Sequence, residues 1–223
     1  MPLRRSFAHA SLSKLAARLE TVNGCAAAMN FGDLPAERAA LSTLALVDLT
    51  PLPRTGFKGP GTPEWLTGQG VVLPDPNRAA PQEDGSLVLR LAPREALILG
   101  PLQGGSLVSR LDAAWPVDRE GAPPRGYPVP RADSHCWFLL SGEKAPSTLA
   151  KICGVDLRPQ KFGELEIAQT QAMRISVILV RDRGDPLRYH LLTDSASADY
   201  AWDCLVDAMA EFGGRPAGLS ALA

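Results

Sequence analysis

The sequence predicts an α+β protein made of two tandem β-α-β-β-α units, with a mostly antiparallel sheet and helices on one face. Short apolar runs of strand length alternate with turn residues and with amphipathic stretches of helical period. The same order of elements then occurs a second time. The chain has 223 residues, of which 45% are hydrophobic and 21% are charged, and this composition is typical of a globular protein with a sizeable core.

The first half begins with an apolar run at 44–49, which predicts a strand, and 54–58 continues as a second extended piece. A short helix follows, because Pro63 suits the first position of a helix and a glycine at 68 or 70 suits its end. The next stretches predict an exposed loop at 74–84, a strand pair at 87–91 and 96–99, and a helix at 106–114.

The second half repeats this order after a stretch at 116–130 that holds five prolines and two glycines and is typical of a linker or crossover. Its predicted elements are a strand at 135–140, a glycine turn leading into a helix, an extended piece at 167–170, strands at 174–180 and 187–192, and a long helix at 199–212.

The internal repeat is one of layout and not of residue identity. Residues 59–66 (G-P-G-T-P-E-W-L) and 142–149 (G-E-K-A-P-S-T-L) both form a glycine turn ahead of a helix. We therefore divide the chain into four segments. They are an N-terminal arm at 1–40, a first unit with its proline-rich crossover at 41–130, a second unit at 131–214, and a flexible tail at 215–223.

The N-terminal arm is basic and has no acidic residue before Glu20. It lacks the apolar core of a secretory signal, and its composition is also typical of a mitochondrial transit peptide. Leu12, Leu15 and Leu19 fall on one helical stripe, and we favour an amphipathic arm that packs on a partner. A cytoplasmic location is expected.

Several functions are disfavoured by composition. The formal net charge is −1, whereas nucleic-acid binding requires a basic face. No apolar run approaches the length of a membrane span.

The four cysteines, at 25, 136, 153 and 204, have no metal-site spacing and are expected to be reduced thiols. The dispersed histidines, among them His135 and His190, predict hydrogen-bonded core or interface roles.

The glycine-rich stretch at 54–68 is a candidate phosphate loop. It matches neither G-x-x-x-x-G-K-[ST] nor G-x-G-x-x-G, and Pro60 removes a backbone donor that an anion site would use. A structural role is favoured, in which the glycines allow a tight turn from strand to helix. No catalytic residue and no metal ligand is predicted.

Four stretches, taken together and in order, resemble the gamma subunit of heterotetrameric sarcosine oxidase. They are V-D-L-T-P-L-P-R-T-G-F-K-G-P-G-T-P-E-W-L, D-G-S-L-V-L-R-L-A-P-R-E-A-L-I-L-G, H-C-W-F-L-L-S-G-E-K-A-P-S-T-L-A-K-I-C-G-V-D-L-R-P-Q-K-F and A-Q-T. The resemblance covers roughly residues 40–213. This family lies within the wider group of folate-binding aminomethyltransferases, so the resemblance implies an aminomethyltransferase-like folate-binding fold.

The resemblance implies a non-catalytic assembly subunit of a flavoenzyme that oxidatively demethylates sarcosine and passes the one-carbon unit to tetrahydrofolate. Alpha, beta and delta subunits are the implied partners. The complex is expected to carry FAD, FMN, NAD and tetrahydrofolate, with no cofactor in this chain. The alternatives are a folate-dependent aminomethyltransferase-like enzyme and a subunit of a related N-methyl amino acid dehydrogenase.

One departure from the family pattern bears on catalysis. Aminomethyltransferases carry G-G-x-x-D-D before the strand pair, and this chain reads Q-E-D-G-S-L-V-L-R-L there. Asp84 can match one aspartate, whereas Gly85 stands at the other. The weak candidates for folate contact are Asp84 as a base, with Lys58 or Arg90 meeting the folate glutamate.

Interface anchors are chosen by residue type, since tryptophan, tyrosine and arginine carry much of the binding energy at protein interfaces. Core packing is the competing interpretation for each tryptophan. The predicted anchors are Arg54, Trp65, Trp115, Tyr127 and Trp137.

Overall fold

The structure, a computed structural model, describes residues 3–115 and 125–223. The chain forms two compact units. The split unit combines the residues up to Pro51 with His135–Ala223, and the central unit is the continuous stretch Leu52–Ser134.

Most of the strands and helices are short. The strands are β1 (Arg4–Arg5), β2 (Arg18–Val22), β3 (Cys25–Asn30), β4 (Ala45–Asp48), β5 (Arg54–Lys58), β6 (Arg78–Pro81), β7 (Leu87–Ala92), β8 (Glu95–Leu99), β9 (Tyr127–Val129), β10 (His135–Ser141), β11 (Ile167–Ala172), β12 (Ile175–Arg181), β13 (Arg188–Asp194) and β14 (Arg215–Ala217). The helices are α1 (His9–Ser13), α2 (Leu34–Thr43), α3 (Thr62–Gly68), α4 (Leu107–Ala114), α5 (Arg131–Ser134), α6 (Ala145–Ile152) and α7 (Ala198–Ala210), with short 3-10 turns at Ser195–Ser197 and Leu219–Ala221.

The strands form three sheets. The central unit has a five-stranded sheet in the order β6-β7-β8-β5-β9. The split unit has a six-stranded sheet, β11-β12-β13-β10-β4-β14, and a three-stranded sheet, β1-β3-β2. Among the described strands, only the β1–β3 and β4–β14 pairs are parallel. The predicted α+β class with mostly antiparallel sheet is therefore confirmed.

The two larger sheets share one strand order, but they are not built from contiguous tandem segments. β4 directly precedes β5 in the chain and yet pairs with β10, where Phe138 lies opposite Asp48. β9 directly precedes β10 and yet pairs with β5, where Pro128 lies opposite Phe57. This exchange of leading strands places 41–51 in the split unit and 131–134 in the central unit, which differs from the predicted boundaries.

Each unit buries its own apolar core. In the split unit, one face of β10, β12 and β13 packs with α6 and α7, and Phe138 meets Trp202 edge-on at 5.5 Å between ring centroids. In the central unit, the ring centroid of Phe57 lies 4.8 Å from that of Trp65 and 5.0 Å from that of Trp115. Because each fully buried large apolar side chain contributes about 1.5–3 kcal/mol, these clusters are the main source of stability.

The structure corrects the predicted N-terminal arm. Residues 9–43 fold as part of the split unit, and the backbone N–H of Ser11 donates to the Asp199 carboxylate of α7 at 2.9 Å. Leu12 is buried, whereas Leu19 lies in strand β2 and not on a helix. The three leucines therefore do not form one helical stripe.

The predicted C-terminal tail is also folded. β14 pairs in parallel with β4, and the N–H of Gly218 donates to the buried carboxylate of Glu37 at 2.8 Å. The same carboxylate accepts from the N–H of Phe31 at 2.7 Å. One acidic side chain thus joins the end of the chain to the N-terminal sheet.

Two further predictions meet different outcomes. The exposed loop expected at 74–84 contains strand β6, in which Ala79 and Ala80 are buried against β7. Pairing with β7 overrides the weak strand propensity of alanine.

Most of the proline-rich crossover, at 116–124, lies outside the described residues. Within the part of the chain that the structure describes, no helix combines the length and apolar character that a membrane crossing requires.

Candidate functional site

The glycine corner after β5 uses its backbone donors within the chain. The N–H of Gly59 donates to the carbonyl of Arg94 at 2.9 Å, and the N–H of Gly61 donates to the carbonyl of Arg125 at 3.1 Å. The N–H of Thr62 donates to the carbonyl of Gly59 at 3.1 Å, which starts α3. These amides are not available to hold an anion, which supports the structural interpretation of the corner.

Glycine is required at this corner because the backbone of residues 125–126 passes directly against Gly59. Gly59 has φ +132, and a Cβ there would lie 2.4 Å from Cα of Gly126 and 2.5 Å from the carbonyl oxygen of Arg125. Gly142 repeats the arrangement with φ +115 and a Cβ position 2.3 Å from the carbonyl oxygen of Thr43. The two matching glycines of the sequence repeat therefore serve the same geometric purpose.

Lys58 belongs to a charged group on the central sheet. Its Nζ lies 2.8 Å from Glu95 Oε2, and the other carboxylate oxygen of Glu95 accepts from Arg131. The hydrogen bond to Glu95 is the main reason that the pKa of Lys58 is raised. Since half of the Lys58 side chain is exposed, this ion pair adds little stability.

Asp84 caps the first turn of α4 from the neighbouring turn. Its Oδ2 accepts from the N–H groups of Ser106 at 2.9 Å and Leu107 at 2.8 Å, and its Oδ1 accepts from the N–H of Ser86 at 2.9 Å. Partial burial acts to raise the pKa of Asp84, but the hydrogen bonds, first that from Leu107, outweigh it and lower the pKa. A carboxylate stabilised in this way is a weak general base.

Arg90 connects two loops of the central unit. One guanidinium nitrogen donates to the carbonyl of Pro74 at 2.9 Å, and the other donates to the carbonyl of Pro93 at 2.9 Å. Its contacts within the chain are those of a structural arginine.

The three candidates for folate contact do not all converge on one point. Lys58 lies opposite Glu95 at the start of β8, whereas Leu87, just beyond the turn that holds Asp84, lies opposite Leu99 at the end of β8. With a rise of about 3.3 Å per residue, the length of β8 separates these ends by about 13 Å. Lys58 and Asp84 therefore lie toward opposite ends of the sheet.

Sequence reasoning did not group a set of three polar side chains that the split unit brings together. The indole N–H of Trp137 donates to Nδ1 of His190 at 3.1 Å, and His190 Nε2 lies 3.4 Å from Asp182 Oδ2. Since Nδ1 accepts, Nε2 carries the ring proton and donates to Asp182. Burial acts to raise the pKa of Asp182, and the hydrogen bond from His190 lowers it overall.

These three side chains have the features of a structural group. His190 is 8% exposed, and both of its ring nitrogens are occupied. The structure thus agrees with the prediction of a hydrogen-bonded core histidine. Alternation along β10 and β13 places Trp137 and His190 on one face, which is the sequence signal for their contact.

The predicted interface anchors lie mostly inside this chain. Arg54 is 3% exposed and donates to the carbonyls of Leu52 and Ala132 at 3.0 Å each. Trp115 and Trp137 are buried, and the half-buried Trp65 meets Trp115 edge-on at 4.6 Å. Tyr127 is 54% exposed. Arg54, Trp115 and Trp137 are buried within this chain, as the core-packing interpretation expects for the two tryptophans, and Tyr127 presents the largest exposed fraction among the predicted anchors.

An open groove of about 600 Å³ lies on the split unit, where Gln169, Gln171, Ser176 and Leu192 line it together with His135. Its lining holds no carboxylate or lysine, so it offers no pair of groups for acid–base chemistry. In the described part of the chain, no three histidine, cysteine or acidic residues are grouped closely enough to hold a metal ion.

Comparison with known proteins places this geometry in context. No protein-family model matches the chain. A curated aminomethyltransferase from Saccharopolyspora erythraea is 26% identical over 201 residues, an alignment that covers 85% of this chain and 53% of that protein. The chain thus spans about half the length of this curated relative.

Two solved structures share the fold. One is a chain of heterotetrameric sarcosine oxidase from Corynebacterium sp. U-96, with a TM-score of 0.63 and 25% identity, covering 81% of this chain and 92% of that chain. The other is the glycine cleavage system aminomethyltransferase T from Bartonella henselae, with a TM-score of 0.74 and 14% identity, covering 99% of this chain and 61% of that chain. The expected resemblance is confirmed: this chain is similar to a curated aminomethyltransferase and to a chain of heterotetrameric sarcosine oxidase, of which the similarity covers 92%.

Proposed function

We propose that this chain is a non-catalytic, gamma-type assembly subunit of an oxidase complex. The complex would oxidatively demethylate sarcosine or a related N-methyl amino acid and pass the one-carbon unit to tetrahydrofolate. One observation carries the proposal: the chain is 25% identical to a chain of heterotetrameric sarcosine oxidase, and the similarity covers 92% of that chain. This similarity to one chain of a multi-subunit oxidase supports a subunit role.

The contacts of the candidate residues support a non-catalytic role. Asp84 is committed to the N-terminus of α4, Arg90 to two loop carbonyls, and Lys58 to Glu95. A folate-dependent transfer requires a base close to the reacting nitrogen and a cation at the glutamate end of the cofactor. Each of these side chains would have to leave an existing partner to serve such a site.

In the proposed complex, the cofactors and the reaction belong to the other subunits. FAD, FMN, NAD and tetrahydrofolate would be carried by alpha- and beta-type chains, with a delta-type chain completing the assembly. This chain would supply protein surface, and the packed core within each unit stabilises the surface of that unit.

Purification of the natural complex tests this proposal. The chain would be tagged at its own chromosomal locus and isolated under mild conditions, and the product would be analysed for bound flavin and for sarcosine-dependent oxygen consumption. We expect a flavoprotein of several different chains. Recovery of the tagged chain as a flavin-free monomer would contradict the proposal.

A second candidate, folate-dependent aminomethyl transfer by the chain itself, is favoured by the curated relative. Calorimetric titration of the purified chain with tetrahydrofolate separates the two. We expect no binding in the micromolar range. Micromolar binding that Asp84→Ala abolishes and the exposed neighbour substitution Glu83→Ala leaves intact would replace the assembly role with this one.

A further inference from the structure

Four of the five residues of strand β2 (Arg18–Val22) are exposed, and Val22 is half-buried. It is an edge strand of the three-stranded sheet, and Leu19 is 43% exposed. Its neighbours Arg18 and Glu20, whose side chains are 70% and 51% exposed, form an ion pair at 3.1 Å. Antiparallel sheets normally pack one face on a core, and the adjoining strand β3 does so through its buried residues Cys25–Ala28. The exposure is therefore shared by the two edge strands of this sheet, β2 and β1, and is absent from the buried part of the central strand β3.

Exposed apolar side chains concentrate in the same part of the chain. Leu3, Leu15 and Leu19 are 48%, 38% and 43% exposed, and they are three of the six large apolar side chains that are exposed among the described residues. Leu15 also borders a cavity of about 230 Å³, whose other lining residues are Phe31, Pro216, Arg215 and the acidic Asp33 and Glu37. A concentration of exposed leucines beside a cavity is typical of a protein interaction site.

The charge of this region is opposite to that of the whole chain. Residues 1–22 hold four basic residues and one acidic residue, a net of +3, whereas the whole chain has a net charge of −1. Arg5, Lys14 and Arg18 are exposed. An apolar patch with a basic rim is complementary to an apolar patch with an acidic rim.

We propose that this N-terminal surface, formed by residues 14–20 together with Arg5, docks onto an acidic protein surface of a partner chain. Leu15 and Leu19 supply the apolar contact, and Lys14 pairs with a carboxylate at the rim. Arg18, which already pairs with Glu20, adds a second exposed positive charge beside it. The proposal rests on the assembly role proposed above and adds to it which face of the chain meets the partner and the chemistry of the surface that receives it.

The local structure favours a protein over a lipid surface as the occupant. Binding in a membrane interface requires an amphipathic helix with its apolar residues on one face. Here α1 has five residues, its Leu12 is buried, and the exposed Leu19 lies in a strand. An extended edge strand with apolar and basic side chains is suited to the side-by-side contacts of a protein interface.

Charge and apolar substitutions at this surface test the proposal in the natural complex. The chromosomally tagged chain would carry Leu19→Glu or Lys14→Glu, with Val72→Glu as the control, because Val72 is 61% exposed and lies in the central unit. We expect Leu19→Glu to reduce recovery of the flavin-containing complex at least about tenfold. We expect Lys14→Glu to make the complex dissociate at lower salt. Circular dichroism of each isolated variant should match that of the wild type, since the altered side chains are exposed.

Each contrary outcome has a distinct meaning. Full recovery of the complex with both variants would overturn the docking surface and leave the assembly role intact. A wild-type chain without any flavoprotein partner would overturn the assembly role itself. Sedimentation of the wild-type chain, but not of Leu19→Glu, with vesicles of phosphatidylcholine and phosphatidylserine would replace the protein partner by a lipid surface. A dimer of the isolated chain that Leu19→Glu converts to a monomer would replace it by a second copy.

Discussion

Replacement of Gly59 by alanine tests whether the glycine corner serves backbone geometry. Gly59 has φ +132, and the added Cβ would lie within 2.5 Å of backbone atoms of Arg125 and Gly126. Neither atom can rotate away as a side chain would. Holding an L-residue in this conformation costs about 1–3 kcal/mol, and displacing the facing backbone weakens the Gly61 to Arg125 hydrogen bond at a further cost of about 1 kcal/mol. We expect a total loss of about 3 kcal/mol.

Thermal unfolding measures this effect, and tryptophan fluorescence can follow it because two of the four tryptophans, Trp65 and Trp115, lie in the same unit as Gly59. A loss of about 3 kcal/mol corresponds to a fall in Tm of roughly 6–12 °C for a chain of this size. Gly68→Ala is the matched control, since a Cβ at the exposed end of α3 meets nothing within 4 Å. Alanine there should be neutral or stabilise by up to about 1 kcal/mol.

The reasoning fails if Gly59→Ala unfolds within about 0.5 kcal/mol of the wild type. It also fails if inorganic phosphate raises the Tm of the wild type but not that of Gly59→Ala. In that case the corner would hold an anion despite the hydrogen bonds that occupy its amides.

Three further outcomes are expected. Asp84→Ala should destabilise the chain by about 1–2 kcal/mol in urea unfolding, because α4 loses its cap, whereas Glu83→Ala at the exposed neighbouring position should change nothing measurable. The pKa of Asp84 is lowered in the folded state, so the carboxylate stabilises the fold above the unfolded pKa of about 3.9, and this stabilisation is lost as pH falls through the folded pKa. If Asp84→Ala lost as much stability at pH values well below the folded pKa as at neutral pH, the role of the carboxylate as a helix cap would be refuted. Trp137→Phe should cost about 1–3 kcal/mol, because it leaves His190 Nδ1 buried without its donor, and a Tm equal to that of the wild type would show that water replaces the indole.

Local sequence signals predicted most of the individual elements. The apolar runs at β7, β8, β12 and β13 formed the expected antiparallel pairs. Pro63 stands in the first turn of α3, and Gly213 follows the end of α7 as expected. These features depend on neighbouring residues along the chain, so a single sequence is sufficient to indicate them.

Local signals could not predict the exchange of leading strands, in which β4 pairs with β10 and β9 pairs with β5. β4 is four buried residues long and would satisfy the same apolar pattern beside either β5 or β10. Which neighbour it pairs with depends on contacts distant in sequence, and periodicity carries no information about those. The prediction of one helical stripe in the N-terminal segment failed for a similar reason. The helical spacing of Leu12, Leu15 and Leu19 also occurs in a short helix followed by a turn and a strand.

The candidate site illustrates a further limit. Residue type drew attention to Asp84 and Arg54, but the structural role of each follows from the groups that it binds. Asp84 caps a helix that begins more than 20 residues later, and Arg54 holds backbone carbonyls of α5, as its bond to Ala132 shows. A sequence motif records the carboxylate or the guanidinium and not its partner.

Because the split unit is discontinuous in the chain, it imposes an order on folding during synthesis at the ribosome. The hydroxyl of Thr50, beside β4, accepts the backbone N–H of Trp137, which emerges 87 residues later. The central unit, by contrast, is encoded without interruption and can reach its final form as soon as Ser134 leaves the exit tunnel. Both sheet neighbours of β4, β10 and β14, follow the central unit in the chain, so this apolar strand has no sheet partner until β10 is synthesised.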